Sequence, residues 1–355
     1  MDIIQQRLNN QFLAQRKLEK PEAVVAWQGA VQAQDYAGAR WAVGQRLWGS
    51  DDTAVEQAFN QGQILRTHVM RPTWHFVVPE DIRWLLALTA PRVHALNAYM
   101  YRQLELDESL LQHGSAVIAK ALAGGQQLTR AELSATLATA NIAAEKMRLA
   151  YIVMYAELEG IICSGPRRGK QFTYALLAER APQARILERD EALAELVQRY
   201  FTSHGPATVP DFAWWSGLTT ADARAGLELV KSALVEERVG DQSYYLAPDM
   251  PFTEVPSPTA HLLPNYDEYL ISTRDSTPFL EPAHLPLLTE SSQLFPHCVV
   301  IDGRLVGNWR RQFKKNRLII TLNPFAPLSQ AQQQAIGEAA EEYGRFLDMQ
   351  AVVEG

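Results

Sequence analysis

Apolar positions change period along this chain. Through most of the first 250 residues they recur at helical spacing, and three times that pattern gives way to two short runs rich in β-branched and aromatic residues, joined by a turn. Residues 64–70 and 73–78 make the first pair, around Arg71-Pro72. Residues 160–163 and 172–176 make the second, around a tip at 165–170, after a helical run over about 144–159. Residues 233–239 and 244–247 make the third, turned at Gly240-Asp241. Helices followed by a two-stranded wing are the winged form of the helix-turn-helix unit. The pattern therefore predicts three such units in tandem, over residues 1–100, 101–185 and 186–250.

Boundary signals agree with this parse. Thr129 precedes Glu132 at capping-box spacing, and Pro21 and Pro210 stand where first helical turns would begin. Four prolines in residues 248–258 forbid regular structure and mark a linker. Beyond it, residues 261–271, 298–302, 304–309 and 318–322 alternate like strands, with Asp302-Gly303 supplying a tight hairpin turn. A helix over about 330–349, expected on the outside, closes the chain. The predicted fold class is α+β: three tandem winged units, then a small C-terminal β-barrel or sheet with a terminal helix over 259–355.

Composition narrows the function classes. With 47% hydrophobic and 21% charged residues the chain is neither disordered nor fibrous. Its 33 Lys+Arg against 40 Asp+Glu leave a net charge of −7, so no overall basic field draws it to polyanions and any such site must be local. Two cysteines, Cys163 and Cys298, are too few for a disulfide framework and lack metal spacing, which suits a cytoplasmic protein. No export signal or membrane-length apolar run is found.

Local charge does exist. Residues 301–320 hold Arg304, Arg310, Arg311, Lys314, Lys315 and Arg317 against the single acid Asp302. Together with Arg167, Arg168 and Lys170 at the second wing tip they read either as a phosphate-binding track or as solvated hairpins. The expected third helix of the first unit begins Asp51-Asp52 and contains Glu56, which would repel phosphate.

Familiar catalytic signatures are missing: no His-Glu-x-x-His, Gly-x-Ser-x-Gly, Cys-x-x-Cys or phosphate-binding loop occurs. Neither a metal site nor a cofactor is expected from the scattered histidines. His75 reads as a core or hairpin residue, and Trp41 and Trp48 as core. Gly29 suits the end of one helix and Asp35 the N-cap of the next, leaving 32–34 as a short extended link. Alternate side chains in such a link project together, about 7 Å apart, close enough for two amides to hold one water. From spacing alone, two solvated glutamines in a polar link is the simpler reading.

The segments Gln32-Ala33-Gln34, Arg71-Pro-Thr-Trp-His-Phe-Val77, Leu262-Leu-Pro-Asn-Tyr-Asp-Glu-Tyr269 and Ile301-Asp-Gly-Arg-Leu-Val-Gly-Asn-Trp-Arg-Arg311 resemble the bacterial winged-helix DNA glycosylases of the AlkZ/YcaQ type. The likeness spans nearly the whole chain. It implies tandem winged-helix units with a C-terminal β-barrel, double-stranded DNA with alkylated purines as partner, and no cofactor. It also implies Gln32 and Gln34 as the catalytic pair of a monofunctional N-glycosylase in the Gln-hydrophobic-Gln branch. N7-alkylation makes a purine cationic, so the base can depart without a general acid while amide oxygens orient water and steady the sugar. Asp35 and Asp267 are the alternative catalytic groups, although Asp267 reads first as a cap or as a partner of Arg274. A monomer in the nucleoid-bearing cytoplasm and possible crosslink unhooking complete the expectation. The competing readings are a non-catalytic winged-helix DNA-binding regulator and a protein-interaction scaffold.

Overall fold

The computed structural model describes residues 2–15, 18–49, 51–250, 252–275, 278–280, 282–284 and 297–354. In chain order the first stretch holds α1 (Ile3–Asn10), α2 (Pro21–Gln28), β1 (Val31–Gln32), α3 (Tyr36–Gly44), α4 (Asp52–Gln61), β2 (Leu65–His68) and β3 (Trp74–Val77). The next holds α5 (Ile82–Gln103), α6 (Glu108–Leu122), β4 (Leu128–Thr129), α7 (Arg130–Thr139), α8 (Lys146–Leu158), β5 (Ile162–Ser164), β6 (Thr173–Leu176) and α9 (Leu177–Arg180). Then come α10 (Arg189–Ser203), α11 (Val209–Ser216), α12 (Thr220–Val230), β7 (Val235–Val239) and β8 (Gln242–Leu246). The last stretch has β9 (Ala260–Leu263), α13 (Glu268–Ile271), β10 (Cys298–Ile301), β11 (Arg304–Lys314), β12 (Arg317–Pro324), α14 (Gln330–Phe346) and β13 (Gln350–Glu354). None of the described helices is long and apolar enough to cross a membrane.

The chain forms two compact units. One comprises Met1–Glu56, Ala194–Trp215 and Thr220–Gly355; the other comprises Gln57–Leu193 and Ser216–Thr219. The three expected strand pairs form antiparallel hairpins: β2 with β3, β5 with β6, and β7 with β8. In the second unit β4 also joins β6, and the apolar side chains of Ile118, Leu133, Leu137, Ile152 and Ile162 are buried in one core. The expected capping box is present: the Glu132 N–H donates to Thr129 Oγ1 and the Thr129 N–H to Glu132 Oε2.

In the first unit a five-stranded sheet has the order β13-β12-β11-β10-β9. Asp302 and Gly303, at φ +51° and +79°, make the two-residue turn between β10 and β11, where Ile301 pairs with Arg304. Three expectations need correction here. Residues 261–271 are not one strand: Pro264 cannot donate to a ladder, the chain turns through Tyr266 at φ +60°, and Asp267 caps α13. The sheet gains β13, which pairs parallel with β12 after α14. And α14 is not a purely external helix, because it buries Ile336, Ala340, Tyr343 and Phe346. Tyr343 and Phe346 pack 4.8 and 5.1 Å from the Trp41 ring.

Candidate active site

Helix α2 ends at Gly29, whose φ of +76° is a conformation side chains avoid. A Cβ there would meet Trp215 only at 3.5 Å, an ordinary contact, so backbone conformation rather than crowding asks for glycine. The chain then runs through Ala30, Val31, Gln32 and Ala33, all buried, before Gln34 emerges exposed. Asp35 accepts a hydrogen bond from the Gly38 N–H at 3.0 Å and caps α3. A Cβ on Gly38 would stand 2.9 Å from that carboxylate and 3.2 Å from Pro264 Cβ, so this glycine lets the motif loop lie against the C-terminal sheet.

Contrary to the expectation from an extended link, the two amides do not share one environment, because Gln32 is packed in and Gln34 is not. Gln32 is 9% exposed and its Oε1 is a buried acceptor without a donor among the described residues, whereas Gln34 faces solvent. The Gln32 backbone is strapped from a distance in sequence: its N–H donates to Glu268 Oε1 at 2.7 Å. Glu268 is fully buried, and its other oxygen accepts from Trp215 Nε1 at 2.9 Å. His204 Nε2 stands 3.8 Å from the same oxygen. Burial lowers the His204 pKa, against the opposing pull of Glu268, so the ring favours its neutral form. Sequence reasoning misses Glu268, since no local pattern separates it from its neighbour.

That neighbour, Asp267, has a different setting. Its carboxylate forms a two-pronged pair with Arg46, at 2.7 and 2.9 Å, and accepts from Gln45 Nε2 and the Tyr269 N–H. Arg46 is fixed in turn by the carbonyls of Gln11 and Ala42. The capping role expected for Asp267 is present; the expected partner Arg274 is not, and instead the Arg274 N–H donates to Asp211.

Three of the segments singled out in the sequence therefore converge. Trp41 Nε1 donates to the Leu262 carbonyl at 2.7 Å and Trp309 Nε1 to that of Leu263 at 2.9 Å, while the Tyr269 hydroxyl donates to Gly303 O at 2.8 Å. His297 lies on Trp309 with centroids 4.6 Å apart and accepts from the Asn265 N–H at 2.9 Å. Burial pushes its pKa down to about 4, Arg311 adds to the effect, and Asp35 opposes it. The motif loop and the root of the basic hairpin thus lie within electrostatic reach of one neutral imidazole.

The model of the family described as DNA glycosylase AlkZ-like matches residues 25–346. The chain belongs to the AlkZ-like DNA glycosylase family. An interstrand DNA cross-link repair glycosylase of Streptomyces sahachiroi is 27% identical over 96% of this chain and 94% of that protein. The solved structure of the Streptomyces sahachiroi DNA glycosylase AlkZ superposes with a TM-score of 0.83 at 23% identity, covering 99% of this chain and 98% of the other, and so has the same α+β fold. A DNA N-glycosylase of this family does its work on the sugar–base bond.

The glycosylase's cations fall into two groups. On the β11–β12 hairpin Arg304, Arg310, Lys314, Lys315 and Arg317 are exposed and make no ion pair among the described residues. Arg311 is half-buried and donates to the Tyr343 hydroxyl. Phe313 stands 55% exposed among these charges. At the second wing tip, Arg168 is spent on Glu132 and the Gln127 carbonyl, both at 2.7 Å, and Arg167 lies 5.2 Å over the Phe172 ring. Lys170 is exposed. The acids of α4 are less repulsive than their sequence suggests, because Arg40 pairs with Asp52 at 3.0 Å and with Glu56 at 3.2 Å. Trp41 and His75 are buried as expected, but Trp48 is 61% exposed, since α3 ends at Gly44, before reaching it.

Proposed function

We propose that this glycosylase hydrolyses the N-glycosidic bond of N7-alkylated, cationic purines in double-stranded DNA, with Gln32 and Gln34 as the catalytic pair. The observation that carries the reading is the asymmetric amide pair: a buried, undonated Gln32 Oε1 on a strapped backbone, two residues from an exposed Gln34. A cationic purine is already a good leaving group, so catalysis needs oriented water and a negative dipole near the developing sugar cation. Amide oxygens supply both, and as weak bases they favour lesions already activated over undamaged nucleosides. Asp267 suits this chemistry less, being neutralised by Arg46, and Asp35 less, being engaged as a cap.

In this reading residues 1–100, 101–185 and 186–250 act as three winged-helix units ahead of a barrel-like 259–355. Arg304, Arg310, Arg311, Lys314, Lys315 and Arg317, with Arg167 and Lys170, meet phosphate, while Arg168, expected beside them, is already paired with Glu132 and contributes least. Base loss leaves an abasic site without strand cleavage, no Schiff-base lysine being needed, and the protein works as a monomer in the nucleoid. Interstrand crosslinks enter as substrates by analogy with the Streptomyces cross-link repair glycosylase. The non-catalytic regulator is disfavoured by membership of a glycosylase family. Incubation with duplex carrying N7-methylguanine, scored for free base and for abasic sites, tests the proposal. Free N7-methylguanine with intact strands supports it; tight duplex binding without base release overturns it.

A further inference from the structure

Taking the chain's action on DNA as given, we propose that the second compact unit carries a separate subsite for one unstacked nucleotide of a DNA strand. The site is a cavity of about 660 Å³ between the β5–β6 wing, β2 and β3, and the starts of α7 and α8. That volume lies within the roughly 300–1,000 Å³ of pockets that enclose small organic molecules. Its wall holds four cations, Arg66, Arg130, Lys146 and Lys170, against one carboxylate, Glu145. Its floor is apolar, with Leu149 and Tyr174 both buried.

The charges are placed rather than scattered. Arg66 is buried, with its guanidinium 4.2 Å over the Trp74 ring and 4.6 Å over that of Phe172, and its backbone N–H donates to Ser164 Oγ. Arg130 donates to the Lys146 carbonyl, which brings the two exposed cations to one rim. Arg130, Lys146 and Lys170 are exposed at this rim, so an anion seated there meets positive charge from more than one side. A plain phosphate site has no use for an apolar floor, and a plain apolar pocket has none for four cations. A phosphate joined to a flat, largely apolar ring uses both, which is the chemistry of a nucleotide. Stacked duplex is too wide to enter, so the occupant is a nucleotide out of the helix.

Calorimetric titration of the full-length protein with thymidine 5′-monophosphate, thymidine and inorganic phosphate tests this. The nucleotide is expected to bind at least about tenfold more tightly than either half, since only it uses both rim and floor. Lys146→Glu should weaken nucleotide binding by about tenfold or more, with Lys146→Gln between it and wild type and thermal melting of both unchanged. Inorganic phosphate binding as well as the nucleotide, or Lys146→Glu titrating like wild type, overturns the subsite. Release of N7-methylguanine by wild-type protein, run in parallel, keeps the outcomes apart: its failure removes the repair reading and leaves the titrations standing.

Discussion

Around Gln32 the first unit gathers buried groups whose hydrogen bonds do the holding, while along β11–β12 it leaves cations in open solvent. The Glu268 strap and the Trp215 indole work in a setting where a dipole keeps most of its strength, because no water reorients against it. The hairpin's charges work through bulk solvent, where salt screens them within about 8–10 Å. The difference teaches a division of labour. Changes near Gln32 should alter turnover on bound substrate, and changes on the hairpin should alter how much substrate is bound.

The largest expected effect tests whether a buried charge hides among those groups. Asp267→Asn leaves Arg46 buried without its counter-charge, and breaking such a pair costs about 3–5 kcal/mol of stability, read from urea unfolding. Where the variant is still folded it should release base. A folded Asp267→Asn protein with no turnover would move the chemistry from the amides to this carboxylate. Next comes Gln34→Ala, expected to lower single-turnover base release by about two orders of magnitude, with Gln32→Ala somewhat milder and duplex affinity by anisotropy unchanged in both. Turnover by the double variant equal to wild type would remove both glutamines from the mechanism.

A smaller effect separates positioning from chemistry. Glu268→Ala strands the Gln32 N–H and the Trp215 indole N–H, each at a cost of about 1–3 kcal/mol, and should lower turnover about tenfold with the Michaelis constant unchanged. Glu268→Gln keeps an acceptor for Gln32 and should recover most of the loss. If glutamine rescues nothing, Glu268 contributes charge rather than position.

Much of this was legible because it is local. Gly29 and Asp35 announce a helix end and a helix start, Thr129 and Glu132 lie three residues apart, and Asp302-Gly303 is a turn by its own conformational preferences. What stayed hidden depends on partners far along the chain. Gln32 and Glu268 are separated by 236 residues, and Arg46 and Asp267 by 221, so neither contact leaves a trace in periodicity. Charge counting failed for the same reason at the second wing: Arg168 adds to a basic tally, yet Glu132, 36 residues earlier, already engages it. Adjacent carboxylates such as Asp267 and Glu268 look interchangeable in sequence and differ only in which donors the fold brings to them.

The smallest effects belong to the hairpin, and they bear most directly on the division of labour. Lys314 and Arg310 are exposed and unpaired among the described residues, so each is free to displace condensed counterions from a duplex. Lys314→Ala and Arg310→Ala should each weaken duplex binding by about 1 kcal/mol or less and reduce the slope of log affinity against log salt by about one. The loss should be the same for every duplex sequence, damaged or not, because a phosphate contact carries no base information. Arg168→Ala, its guanidinium already engaged by Glu132, should change the salt slope least. A hairpin variant that lost turnover at saturating DNA, or that discriminated between sequences, would show chemistry and binding sharing the same side chains, and the contrast between the two regions would fail.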